Sequence, residues 1–186
     1  DHGTVYLSTA DKNGMMVSFI QSNYLGFGSG IVVPNTGISM QNRGFGFDVK
    51  KGHPNCVGGG KRPYHTIIPG FVTYKDRPLM SFGVMGGHMQ PQGPVQMMVR
   101  IFDYGQNPQT ACDAPRWMVN QDSSVSLESG FSSEVVGKLR DKGHMVLPRS
   151  YHSLSGDFGG AQLIFCLDDG YCAATDPRKD GQALGF

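Results

Sequence analysis

With 186 residues, the chain reads as a single domain over residues 1–186, long enough to bury a sizeable core. Its formal net charge of +1, with 17% charged residues, leaves no electrostatic footprint for nucleic acid or an anionic membrane, and no apolar run approaches bilayer length. A hydrophobic fraction of 39% beside 27 Gly and 11 Pro argues for tight turns joining short strands and against a helical bundle.

In chain order, Thr4–Thr9 and Met15–Ser22 are rich in β-branched and aromatic residues and flank Asp11-Lys12-Asn13-Gly14. Asn-Gly supplies positive φ at low cost, so this segment is predicted to be a hairpin. Gly30–Val33 and Ile38–Gln41 flank a second turn signal, Pro34-Asn35-Thr36-Gly37, and are expected to be strands. Phe45–Pro63 reads as a long surface loop with few consecutive apolar residues. Two strands follow, Thr66–Tyr74 and Leu79–Val84, split by Lys75-Asp76-Arg77-Pro78. The period then changes: Val95, Met98, Val99 and Phe102 lie at i, i+3, i+4, i+7, the apolar face of a predicted helix with Pro94 in its first turn and Gly105 at its stop. Asn107-Pro108 starts a short helix, and a third is predicted over Ser132–Lys142 with a Ser cap and a Val135/Val136/Leu139 stripe. Strands return at Ala161–Leu167 and Tyr171–Ala174 across Asp168-Asp169-Gly170. Strands, then helices, then strands fit a layered α+β domain better than alternating βαβ units.

Several familiar motifs fail on inspection. The cysteines Cys56, Cys112, Cys166 and Cys172 form no CxxC pair, so zinc-ligand spacing is unsupported and no metal is expected; they read as reduced thiols of an intracellular protein. Gly26–Gly30 (GFGSG) lacks full GxGxxG spacing and runs into the strand-like Ile31-Val32-Val33. In Gly58–Pro63 (GGGKRP), Arg62 stands where a P-loop needs its Mg-binding hydroxyl, and Pro63 opposes a helix. No histidines pair at ligand spacing; His144 and His152 read as surface or turn residues, and Asp168 and Asp169 as turn residues. No cofactor is implied.

Attention therefore falls on Thr4, preceded by Gly3 at the entry to the first strand. A threonine hydroxyl is a poor nucleophile without an adjacent base, and one solution is the α-amine of an N-terminal Thr. That amine has a pKa near 8 and accepts a proton near neutral pH. Such a Thr must be exposed by cleavage just before it, and glycine there tolerates the strained backbone that attack demands.

The segments TVYLSTADKNGMMVSFIQSNYLGFGSGIVVPNTGI, MQNRGFGFDVKKGHPN, GKRPYHTIIPG, GGHMQPQG, DYGQNPQTACDAPR and AATDPRKDGQALGF occur in that order. Together they resemble the γ-glutamyltransferase family, specifically its small, catalytic subunit, in a divergent acylase or amidohydrolase branch. The resemblance implies an N-terminal-nucleophile hydrolase with an αββα sandwich, cut autocatalytically from a precursor into a large and a small subunit. Carried over by position, Thr4 matches the nucleophile. Ser22 matches a second hydroxyl that helps activate it and assists cleavage, and Gly86-Gly87 matches the pair whose backbone N–H groups form the oxyanion hole. Preorganised donors are what a tetrahedral oxyanion requires, and glycine lets backbone approach substrate closely.

The substrate pocket departs from the family. The positions that hold a glutamyl α-amine fall on Tyr24 (with Asn23 adjacent), Arg43 and Gly46, and the two carboxylate-binding serines fall on His65 and Thr66. Arg43 repels an ammonium and pairs with a carboxylate, often bidentately. The expectation is thus an amide hydrolase or acyltransferase acting on a carboxylate-bearing acyl group without an α-amine, oxamate-like or glutaryl-type. The alternatives are a true γ-glutamyltransferase (glutathione hydrolase) and, in another class, an unprocessed, silent homologue acting as a binding protein. The expected partner is the large subunit from the same precursor, as a heterodimer or a dimer of heterodimers, with no nucleic acid and no membrane. Asp1-His2-Gly3 is expected to be a remnant upstream of the cleavage site, and the location cytoplasmic, with periplasmic or secreted as the alternative.

Overall fold

The computed structural model describes residues 2–149 and 158–186; His152 lies outside them. In chain order the strands and helices are β1 (His2–Ala10), β2 (Met16–Leu25), β3 (Gly70–Tyr74), β4 (Arg77–Met85), α1 (Met89–Met98), α2 (Pro108–Asp113), β5 (Trp117–Val119), β6 (Val125–Glu128), α3 (Ser133–Asp141), β7 (Val146–Arg149), β8 (Gly160–Leu167) and β9 (Gly170–Thr175).

The β1–β2 hairpin is closed by Asp11, whose carboxylate accepts from Asn13 N at 2.8 Å and Met15 N at 3.0 Å, with Gly14 at φ 86°. Its pleat sends Tyr6, Ser8 and Ser18 inward and leaves Val5, Leu7, Val17 and Phe19 exposed on the other face. The inward face lies on a four-stranded antiparallel sheet ordered β3-β4-β8-β9. Ser18 Oγ donates to Gly70 O at 2.7 Å, and a Cβ at Gly83 would stand 2.6 Å from the Tyr6 ring. Glycine there sets how closely the two sheets approach.

The opposite face of that sheet carries Met80, Phe82, Val84, Ala161, Leu163 and Ala174 against Met97 and Ile101 of the α1 segment and Ala111 and Cys112 of α2. Each large apolar side chain buried in this way contributes roughly 1.5–3 kcal/mol. The layers therefore run helices, sheet, hairpin. A second cluster of Val125, Leu127 and Val146 joins a small sheet, ordered β5-β6-β7, to Val136 and Leu139 of α3.

Side-chain amides close two sheet edges. On α1, Gln96 pairs with both backbone groups of Trp117 (Nε2 to O 2.9 Å, N to Oε1 3.1 Å), and Gln92 does the same with Val119 (3.2 and 2.7 Å). On α2, Gln109 pairs with Thr175 of β9 (2.8 and 3.1 Å). Each amide presents the donor and acceptor that a neighbouring strand would supply.

Several expectations need correction. Gly30–Val33 and Ile38–Gln41 form only a bridge between Val32 and Ser39, because Ile31, Val32 and Ile38 find no apolar face among the described residues and stay exposed. The strand predicted over Thr66–Tyr74 begins at Gly70, leaving residues 66–69 irregular. The first helix starts at Met89 with Pro94 inside it and continues as a π turn over Val99–Asp103. Its buried side is Met89, Gly93, Met97 and Ile101, while Val95 and Phe102 are exposed. Gly93 decides this face, since a Cβ there would meet Val84 Cγ1 at 2.5 Å and only glycine admits the contact. Finally, β6 and β7 pair in parallel across α3, so one βαβ unit sits inside the α+β fold. As predicted, α2 is capped by Asn107 and α3 by Ser132.

Candidate active site

Antiparallel register brings Thr4 opposite Ser22, and their hydroxyls lie 2.8 Å apart. Beyond this pair the register shifts, so that Asn23 and Tyr24 together oppose the single residue Gly3. Tyr24 adopts φ 75°, uncommon for a non-glycine residue, and its N–H donates to Ser22 Oγ at 2.9 Å. The bulge turns Tyr24 towards a cavity of about 730 Å³. Asn23 does not line that cavity; its carbonyl accepts from Asn42 N at 3.1 Å.

Thr4, Tyr24, Arg43, His65, Thr66, Gly86 and Gly87 all line this one cavity. Arg43 opens a single 3-10 turn, Arg43–Gly46, and its guanidinium carbon lies 5.2 Å from the centre of the Tyr24 ring. Partial burial pulls its pKa below the ordinary value, opposed by Tyr24, and it has no carboxylate partner among the described residues. No Asp or Glu is among the described lining residues. His65 is exposed, with Nδ1 accepting from Ile67 N at 3.4 Å, and Thr66 is half-buried.

Gly86 and Gly87 connect β4 to α1 at φ 137° and 56°. Their carbonyls accept from Met89 N (3.0 Å) and Gln90 N (3.1 Å), starting the helix, while their own N–H groups have no acceptor among the described residues. Two undirected N–H donors at a helix N-terminus form an environment that favours negative charge.

Other lining residues escaped sequence reasoning. Gln90 is 3% exposed and accepts from Ile68 N at 3.3 Å, which steadies the segment that carries His65 and Thr66. Asn120 and Gln121 enter from the turn after β5, held by the Gln92 pairing with Val119. Recognising β5 and β6 as strands was the missing signal. Among the described residues no group of three or more His, Cys, Asp or Glu side chains is arranged to hold a metal ion, and no helix is long and apolar enough to cross a membrane.

The family described as Gamma-glutamyltranspeptidase matches residues 1–186. The chain is 35% identical over 193 residues to the glutathione hydrolase-like YwrD proenzyme of Bacillus subtilis, covering 98% of this chain and 36% of that protein. It is 36% identical over 189 residues to the oxamate amidohydrolase proenzyme of Klebsiella pneumoniae, covering 98% and 35%. The chain thus spans about a third of the length of these curated relatives. Its backbone superposes on the crystal structure of a cephalosporin acylase from Bacillus halodurans with a TM-score of 0.87 and 50% identity, over 95% of this chain and 33% of that one. A gamma-glutamyltranspeptidase from Pseudomonas nitroreducens, at 21% identity and a TM-score of 0.79 over 100% of this chain and 98% of that one, shares the fold.

Proposed function

The chain belongs to the gamma-glutamyltranspeptidase family and has the fold of its N-terminal-nucleophile hydrolases, and from that premise we propose that it is the catalytic part of an amide hydrolase or acyltransferase acting through Thr4. The observation that carries this reading is the Thr4–Ser22 hydroxyl pair, 2.8 Å apart, whose Thr4 lines a cavity that also presents Gly86, Gly87 and Arg43, with Ser22 outside that lining.

Thr4 is joined to Gly3 here, so its nitrogen is an amide without basic character. Cleavage of the Gly3–Thr4 bond frees the amine, and the bulge opposite Gly3 supports that step by taking the scissile peptide out of regular pairing. Thr4 Oγ1 then attacks the substrate carbonyl while the amine takes its proton, and Ser22 orients the hydroxyl. The Gly86 and Gly87 N–H groups stabilise the oxyanion. Collapse breaks the C–N bond, the Thr4 ammonium returns its proton to the leaving amine, and an ester to Thr4 remains. Water or an amine resolves that ester by the same steps.

The acyl group carries a carboxylate and no α-amine. A substrate ammonium would meet no acidic side chain among the described lining residues, whereas a carboxylate meets Arg43, with Thr66 and His65 as further donors. Oxamate-like and glutaryl-type amides fit this chemistry. The partner is a large subunit from the same precursor, whose helices cover the exposed Val5, Leu7, Val17 and Phe19 face and complete the αββα sandwich. That reading is supported by the proenzyme names of the relatives and by this chain's one-third share of their length.

Turnover of glutaryl-p-nitroanilide and γ-glutamyl-p-nitroanilide by the full-length protein tests the substrate. The expected result is preference for the glutaryl compound, and a clear preference for the γ-glutamyl one sinks the pocket argument. N-terminal sequencing of the active species tests the nucleophile, with Thr4 expected as its first residue. Full activity in a species that keeps Gly3 attached rules the mechanism out.

A further inference from the structure

Behind the Gly86-Gly87 turn lies a buried ion network that the steps above do not use. Arg116 is 1% exposed; its Nη1 donates to the carbonyls of Phe158 (3.0 Å) and Gly159 (3.5 Å), and its Nη2 to Asp176 Oδ2 (2.5 Å) and Cys112 O (3.3 Å). Asp176, also 1% exposed, accepts at Oδ2 from Ala161 N (2.7 Å) and at Oδ1 from Arg178 N (2.9 Å) and Nη1 (3.1 Å). Glu128 completes the group, taking two bonds from Arg178 (2.7 and 2.6 Å) and one from Arg116 N (2.7 Å). Two guanidinium groups thus face two carboxylates away from water.

Such a network contributes little net stability compared with an apolar core of the same volume, because desolvation offsets the attraction. Its distinctive effect is geometric. Arg116 and Asp176 together hold three backbone groups of residues 158–161, where the chain enters β8. That segment is in direct contact with the turn. A Cβ at Gly86 would stand 2.6 Å from Gly159 Cα, and one at Gly159 would stand 2.1 Å from Met85 O. Both glycines have positive φ, 137° and 70°. No side chain lies between the two backbones, so a shift of Gly159 bears directly on Met85 and Gly86.

We propose that Arg116 and Asp176 are positioning residues for the oxyanion-binding turn, acting on Gly86 through the Phe158–Ala161 backbone. The inference rests on the reading of Gly86 and Gly87 as oxyanion donors. Oxyanion stabilisation depends on donors placed for the transition state, so a small displacement of the turn lowers kcat and leaves substrate binding alone.

The test uses Arg116→Lys, Asp176→Asn and Gly86→Ala in the full-length, processed protein. In Arg116→Lys and Asp176→Asn, kcat is expected to fall by roughly 10–100-fold, the size of a weakened oxyanion donor. KM and the inhibition constant of free glutarate are expected to stay within about twofold, marking a loss confined to the transition state. Affinity for a glutaryl-like boronic acid, which forms a tetrahedral adduct on Thr4, should drop in step with kcat. The double variant Arg116→Lys/Gly86→Ala should lose no more than Gly86→Ala alone, since both act on one device. Unchanged kcat in folded Arg116→Lys, or losses that multiply with Gly86→Ala, overturns the proposal while leaving the oxyanion reading intact. If Gly86→Ala by itself keeps full kcat, the oxyanion reading fails and this inference fails with it. Should Arg116→Lys not fold, the near-isosteric Asp176→Asn carries the test alone: the same split between kcat and KM is expected, and an unchanged kcat in it overturns the proposal.

Discussion

Replacing Arg43 with Gln removes the one cation facing the described part of the cavity and leaves a donor of similar reach. The fold should tolerate the change. Arg43 has no ion pair among the described residues, and the contact it gives up is the one over the Tyr24 ring at 5.2 Å, worth about 0.5–1 kcal/mol. Tyr24 keeps its position through the bulge and its N–H bond to Ser22. For substrate the loss is larger: a charge-assisted hydrogen bond contributes about 1.5–3 kcal/mol. At about 1.4 kcal/mol per tenfold, that predicts roughly a 10- to 150-fold fall in kcat/KM for glutaryl-p-nitroanilide. Butyryl-p-nitroanilide, which has a similar chain and no carboxylate, separates recognition from general damage. Its kcat/KM should change by less than about threefold, so the glutaryl-to-butyryl ratio collapses in the variant. An equal fall for both compounds, or no fall for either, refutes the assignment of Arg43 as the carboxylate anchor.

Other outcomes follow from the same geometry. Ser22→Ala deletes the hydroxyl 2.8 Å from Thr4 Oγ1 and should slow both turnover and Gly3–Thr4 cleavage by about 10–100-fold, followed by p-nitroaniline release and by uncleaved precursor on a gel. Gln96→Leu strips Trp117 of both its amide partners and should lower unfolding free energy by about 1–3 kcal/mol in a urea titration; an unchanged midpoint and slope would mean that water replaces the amide at no cost. Burial, followed by the Asp176 carboxylate, pushes the Cys112 thiol up from 9.0 to about 12. The unfolded thiol ionises first, so its contribution to stability is complete below pH 9.0 and is lost as pH rises towards about 12. Cys112→Ala should flatten that alkaline decline, and Cys112 should be the last of the four thiols to react with a disulfide reagent.

Local chemistry made the hairpin and the short helices readable. Asp11, Asn13 and Gly14 specify the β1–β2 turn, and Asn107 and Ser132 specify two helix starts, because each acts on backbone only a few residues away. Where the outcome depended on distant packing, the reading failed. Val95 and Phe102 have the right spacing for a buried face, yet α1 presents Gly93 and Met97 to β4 because a bare backbone allows the closest approach. The short strands β5, β6 and β7 carry weak periodicity and gain their order from α3 and from the two glutamines of α1. The cavity follows the same division. Thr4, Arg43 and Gly86-Gly87 stood out by chemistry or by motif, and all line it. Tyr24 was named from the resemblance and lines it too, but that Asn23 beside it stays out of the cavity hangs on a one-residue bulge.

The glutamine amides of α1 and α2 bear on the molecule's behaviour in concentrated solution. Strands β5 and β9 each end a sheet, and an open strand edge is a template on which another chain can add. Gln92 and Gln96 occupy the bonding groups of β5 at Trp117 and Val119, and Gln109 occupies those of β9 at Thr175. A second molecule therefore meets β5 with the bonding groups of Trp117 and Val119 already taken, and β9 blocked at its last residue. Polar side chains thus guard β5 and the end of β9 against intermolecular β-pairing and the aggregation that follows from it.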